Sequence, residues 1–269
     1  MMKGIVFGCI VPHPPIIVPD VGKGGEREIA ATSKAMEQLA DKLAAQKPET
    51  VLIVSPHGKY HADAMGILTA QSSYGDMSAW GSSKPGTTYN NDLELVDLIQ
   101  HEAKKAKVPI SPITQKPYHL DWGVMVPMYF LNRALDGASL VPLTFSWLSL
   151  ETHYTFGKAI KSAADLSKKR VAIIASGDLS HRLIPNAPAG YDPMGKIFDT
   201  KLADAISAMD TEAILNFDPA IVERAGECGL RSVVILLGAL AGLNVQSKVL
   251  SYEGPFGVGY MVASLEIIP

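Results

Sequence analysis

Seven histidines are spread along the chain, and three of them stand just past the end of an apolar run. His13 lies in PHPP, directly after GIVFGCIV. Pro12 restricts its own φ and Pro14 biases His13 towards an extended backbone, so the imidazole sits in a stiff mount. His57 follows TVLIVSP within SPHGKYH, with His61 close behind. Asp178 and His181 follow RVAIIAS within SGDLSH. Neutral imidazole ligates transition metals, and with an ordinary pKa of about 6.5 it also carries protons near neutral pH.

A carboxylate would complete such a site. Glu227, in ERAGECGLRSVVILLGAL, lies between Gly226 and Gly229 at the head of an apolar helix. Two histidines and one carboxylate with open positions are the donor set of non-haem Fe(II) oxygenases. Glu227 fits equally well as an acid meeting the positive end of the helix dipole. Its neighbour Cys228 offers a thiolate, which suits zinc or copper(I), or else a buried inert thiol. Spacing alone leaves these alternatives open. Arg182, beside His181, is a candidate partner for a substrate carboxylate. Tyr118, Trp122 and Trp147 could line an aromatic pocket or serve as core. His61 is a reserve ligand, His101 a solvated helix residue and His153 a structural one.

Each of these exits needs a strand behind it. Runs of strand length cover 3–11, 50–56, 64–71, 108–114, 138–145 and 170–176, with a final pair at 245–253 and 258–268. Helical spacing covers 26–46, 91–106, 123–135, 151–168, 191–208 and 228–242, with Asn91 placed to cap the second of these. The Gly- and Ser-rich stretch 72–90 reads as a long loop and a candidate lid. The expected fold is α/β: a single domain over 1–269, with a central mostly parallel or mixed sheet and helices on both faces. Sites in such sheets open at the carboxyl ends of the strands, so the three exits should converge on one crevice.

Composition narrows the function classes. With 47% hydrophobic and 19% charged residues the 269-residue chain has a sizeable core to bury. A net charge of -3 and the lack of a basic run argue against nucleic acid and against an anionic membrane as partner. The first apolar run is too short to cross a bilayer and reads as a buried strand. Two distant cysteines, Cys9 and Cys228, fit a reducing cytoplasm better than a disulfide scaffold.

In this order, PHPP, SPHG, SGDLSH and GECG resemble the class III extradiol ring-cleavage dioxygenases, in particular the catalytic subunit of the protocatechuate 4,5-dioxygenase type, and the related Memo-like proteins. The resemblance runs from His13 to the helix after Glu227. It implies Fe(II) held by His13, His57 and Glu227, with Cys228 as the alternative ligand and zinc or copper as alternative ions. His181 would be the acid–base residue, with Asp178 close by. The implied substrates are a small catechol-type aromatic and O2, with ring opening beside the two hydroxyls, in a homo-oligomer. The Memo-like branch implies instead a metal-binding protein that acts with a partner in a radical-SAM system and does not cleave rings. In that branch a cysteine at the place of Cys228 serves as ligand. Trp122, in HLDWGVMVP, stands where many ring-cleaving members carry a histidine; His119, Trp122 and Arg182 make up the candidate substrate pocket. A zinc hydrolase built on the same pocket is a third reading of these residues.

Overall fold

The computed structural model describes residues 3–268. Ten strands run β1 Gly4–Val11, β2 Thr50–Ser55, β3 Met65–Leu68, β4 Ser72–Gly75, β5 Thr87–Asn90, β6 Ile110–Ile113, β7 Ser139–Thr144, β8 Arg170–Ser176, β9 Val245–Glu253 and β10 Tyr260–Ile267. The helices are α1 Pro19–Gly22, α2 Ala30–Ala45, α3 Leu93–Lys105, α4 Trp122–Leu131, α5 Leu150–Ser167, α6 Pro193–Ala208, α7 Thr211–Leu215, α8 Pro219–Ala225 and α9 Leu230–Ala239. Eight strands form one sheet in the order β6-β3-β7-β2-β8-β1-β10-β9. The block β7-β2-β8-β1 is parallel, while β3 pairs antiparallel with β7 and β10 antiparallel with β1, so the sheet is mixed.

The central strands read as unbroken apolar runs because both faces are covered. Alternation still sorts their side chains. Leu52, Val54, Val171 and Ile173 face a core shared with α3, α5, α6 and α9. Val51, Ile53, Ala172 and Ile174 face a second core with α2 and α4. Helices therefore cover both faces of the sheet, as the sequence predicts. Because β2, β8 and β1 are parallel neighbours in register, with Val54 opposite Ala175 and Val11 opposite Ser176, all three exits open at one end of the sheet.

Some local expectations are corrected. The stretch 72–90 is not a bare loop: β4 and β5 pair as an antiparallel hairpin around a helical turn at 78–80. Its tip is tied down where the Ser82 hydroxyl donates to Asp20 at 2.7 Å. The cap of α3 is Asp92, which accepts from Leu95 N, whereas Asn91 is buried and donates to the Ala70 carbonyl. α7 and α8 are short helices between α6 and α9, in a stretch the periodicity leaves unassigned.

Asp92 also joins layers. Its carboxylate accepts from Thr50 on β2 and from Lys169, just before β8, at 2.9 Å, besides capping α3. Replacing a cap that is also a buried ion-pair partner leaves several donors unpaired. Asp92→Ala should therefore lower stability by about 2–4 kcal/mol, read as a shift of the urea midpoint at unchanged slope, with Asp92→Asn in between.

Candidate metal centre

His13, His57 and Cys228 meet at the carboxyl end of the parallel strands, one donor atom from each lying within 4.8 Å of the other two. The two Nε2 atoms are 2.9 Å apart, and Cys228 Sγ is 3.7 Å from His13 Nε2. A tetrahedral ion with ordinary bond lengths would space two ring nitrogens about 3.3 Å apart and place nitrogen about 3.6 Å from sulfur. The two spacings from His13 Nε2 thus come within about 0.4 Å of those an ion would set.

Proton bookkeeping supports the same fit. The Ser176 hydroxyl donates to the Gly123 carbonyl at 2.5 Å, and a carbonyl can only accept. Ser176 Oγ is therefore left to accept from His13 Nδ1–H at 2.9 Å. That tautomer turns a lone pair on Nε2 towards His57 and Cys228. Burial, followed by the charge of His181, pushes His13 down to about 3, and burial, with the charges of His13 and His181, does the same to His57. Both rings are neutral at physiological pH, the form that ligates. Burial, followed by the charges of Asp178 and Glu227, drives the Cys228 thiol well above its usual range, so deprotonation must come with the ion itself.

The three donors are held by different devices. His13 N–H donates to Asp178 Oδ1 at 2.9 Å, tying the β1 exit to the β8 exit. His57 N–H donates to Ser55 Oγ, whose hydroxyl donates to the half-buried Asp121. Trp122 stacks on the His57 ring at 4.0 Å and 21°, and Trp80 from the hairpin turn meets Trp122 edge-on at 5.6 Å. Cys228 rides on a strap between α8 and α9. Gly226, at φ 61°, turns the chain out of α8, and Gly229 presses on Gly177, where an added Cβ would stand 2.1 Å from Gly229 Cα. That backbone contact lets Cys228 N donate to Asp178 O at 3.3 Å and Asp178 N point at Sγ at 3.3 Å.

The other sequence candidates divide. Asp178 lies 3.9 Å from His13 Nε2, and burial pushes its carboxyl up to about 6. His181 is near enough for its charge to act on His13, His57 and Asp178, and its buried Nδ1 has no hydrogen-bond partner among the described residues. Arg182 packs beside Gly226, with its Nε buried and unpaired among the described residues. Glu227 is not in the donor triangle. Its Oε2 accepts from Leu230 N at 2.6 Å at the start of α9, and its Oε1 lies 3.9 Å from Arg231. His119 is a surface residue, 59% exposed and 3.4 Å from Asp76. His61 pairs with Ser111, and His153 is buried on α5, its Nδ1 2.8 Å from the Ser149 carbonyl and its Nε2 accepting from Ser146 N. Both cysteines are free thiols.

Ser55, Ser176, Asp121 and Trp80 belong to the site but escape a sequence reading. Ser55 and Ser176 could have been flagged as the polar residues that end apolar strands beside His57 and Asp178. Asp121 looks like an ordinary helix cap.

Residues 8–263 match the family described as the catalytic LigB subunit of aromatic ring-opening dioxygenase. Protein CA_C1420 of Clostridium acetobutylicum is 37% identical over 264 residues, covering 96% of this chain but 56% of that relative, so the chain spans little more than half its length. The 2-aminophenol 1,6-dioxygenase beta subunit of a Pseudomonas species is 22% identical over 98% of this chain and 94% of its own. A MEMO1 family protein of Caldivirga maquilingensis is 23% identical over 58% of this chain and 53% of its own. Among the described residues no helix is long and apolar enough to cross a membrane.

The depressed imidazoles carry a pH signature. Below about pH 6.5 the unfolded chain takes up a proton at His13 that the folded chain refuses until about pH 3. Chelator-treated protein should therefore lose stability as pH falls across that window, by at most about 1.4 kcal/mol per pH unit from this one group. Urea melts between pH 7 and pH 4 should show that slope in the parent and a flatter one in His13→Asn.

Proposed function

The chain belongs to the family of catalytic LigB subunits of aromatic ring-opening dioxygenases, and on that premise we propose that it works as a metal-binding protein of the Memo-like kind, with His13, His57 and Cys228 as ligands. The observation that carries this reading is the third donor. The Cys228 sulfur closes the donor triangle with the two imidazoles, while the carboxylate of Glu227 is spent on the amino end of α9. A His2Cys set favours zinc or copper over the Fe(II) expected of two histidines and a carboxylate. Bound there, such an ion supplies a Lewis acid with an open position. The chain's own part is to hold two neutral imidazoles in one tautomer, exclude water from one face of His57 with Trp122, and keep His181 Nδ1 free to take or give a proton. Action beside an enzyme of a radical-SAM system, in a reducing cytoplasm, is part of the same proposal.

The second reading is Fe(II)-dependent extradiol cleavage of a catechol-type ring with O2, in a homo-oligomer. Two observations favour it: the family match over most of the chain and the unpartnered His181 Nδ1 beside the ligands. In that reading Glu227 leaves Leu230 N to become a ligand, Asp178 steadies His13, and His181 accepts a phenolic proton and returns it as the ring opens.

One set of measurements separates the two. Anaerobic protein is loaded in turn with zinc, copper(I) and Fe(II), and metal content is measured after desalting. Oxygen uptake is then followed across a panel of catechols. On the first reading Cys228→Ser loses its zinc or copper(I), Glu227→Gln keeps about one equivalent, and no catechol drives uptake. Uptake matched to a yellow ring-opened product, abolished in Glu227→Gln and His181→Ala but kept in Cys228→Ser, would overturn it in favour of the second.

A further inference from the structure

Several cavities outside the histidine cluster are lined by charged side chains, and two of these include an arginine. One, of about 780 Å³, lies at the amino ends of β2 and β7, but Lys169 is engaged by Asp92 and Glu94, Arg133 by Asp41 and a helix carbonyl, and its remaining cation, Lys47, is exposed to solvent. The other, of about 630 Å³, lies between the loop after β7 and the helices α7, α8 and α9. Its walls include Leu150, Phe217, Val222 and Leu230, and Trp147 and Arg231 stand across them.

Arg231 is the anomaly. Its side chain is only 20% exposed, yet among the described residues its guanidinium makes no hydrogen bond. The nearest acid, Glu227, is 3.9 Å away and committed to Leu230 N, and Nε is buried with nothing to donate to. The cation rests on the Trp147 ring at 4.6 Å, which steadies it without using any of its N–H groups. A guanidinium carries five donors in a fork that matches a carboxylate, and a mostly buried one with none of them spent calls for an acceptor from outside the chain. Glu151, Glu223 and Glu227 line the same cavity, so repulsion weighs more heavily against a dianion such as phosphate than against a single carboxylate. The apolar walls call for an apolar body.

We infer that this cavity is a binding site for a small monocarboxylate with an aryl or alkyl body, the carboxylate on Arg231 and the body against Phe217, Val222 and Leu230. The site is distinct from the histidine–cysteine cluster. Glu227 lines the cavity while the next residue, Cys228, faces the imidazoles, so the strap between α8 and α9 is the wall between the two. The inference needs no ion at that cluster.

The test is calorimetric titration of chelator-treated protein with 3-phenylpropionate, phenylacetate and hexanoate, alongside 3-phenylpropanamide and 2-phenylethylamine. At least one acid should bind saturably. The amide should bind about tenfold more weakly or worse than its acid, since the charge-assisted bonds are lost. Arg231→Gln should lose the acid to a similar degree. If that variant fails to fold, the acid–amide comparison on the parent protein decides alone. Failure of all three acids to bind, equal affinity for acid and amide, preference for the amine, or parent-like binding by folded Arg231→Gln would each overturn the inference.

Discussion

One hydroxyl governs the geometry of this protein. Ser176 ends β8 with its proton committed to the Gly123 carbonyl, and only because that proton is spent does its oxygen accept from His13 Nδ1. The bond settles which ring nitrogen keeps a hydrogen, and so which one is offered to a ligand. Its strength is ordinary, but its direction is enforced, because the carbonyl has no donor to give back.

The partner of that hydroxyl belongs to the first turn of α4, and the same turn reaches the second imidazole by two other routes. Asp121 acts through Ser55 on the backbone of His57, and Trp122 lies flat on the His57 ring. α4 packs on the face of the sheet shared with α2, so the two imidazoles inherit the rigidity of a layer they do not belong to. The stiffness is needed because both rings sit in surroundings that reject their charged forms.

The parts of this arrangement legible in the sequence are those written locally. Apolar runs ending in His13, His57 and Asp178 announce strands whose carboxyl ends share one edge, and the parallel order β2-β8-β1 brings them together. What stays hidden is long-range. Glu227 and Cys228 are adjacent, so no spacing separates them, and the choice is made by the contact of Gly229 with Gly177, far away in sequence. The hairpin at 72–90 is masked by its Gly and Ser content, since strands as short as β4 and β5 show too little alternation to register. Asn91 and Asp92 are both good caps; the structure buries the first under β4 and gives the helix to the second because Asp92 can also meet Lys169.

The strap from Gly226 to Gly229 holds a hard oxygen donor and a soft sulfur donor one peptide apart, the sulfur turned inward and the oxygen turned out. Exchanging them is a matter of those few residues alone, and what opposes it is the Gly229–Gly177 contact rather than any strand or either histidine. On such a scaffold a change of ion in the course of descent requires no new fold and no new ligand residue, only a different neighbour turned inward.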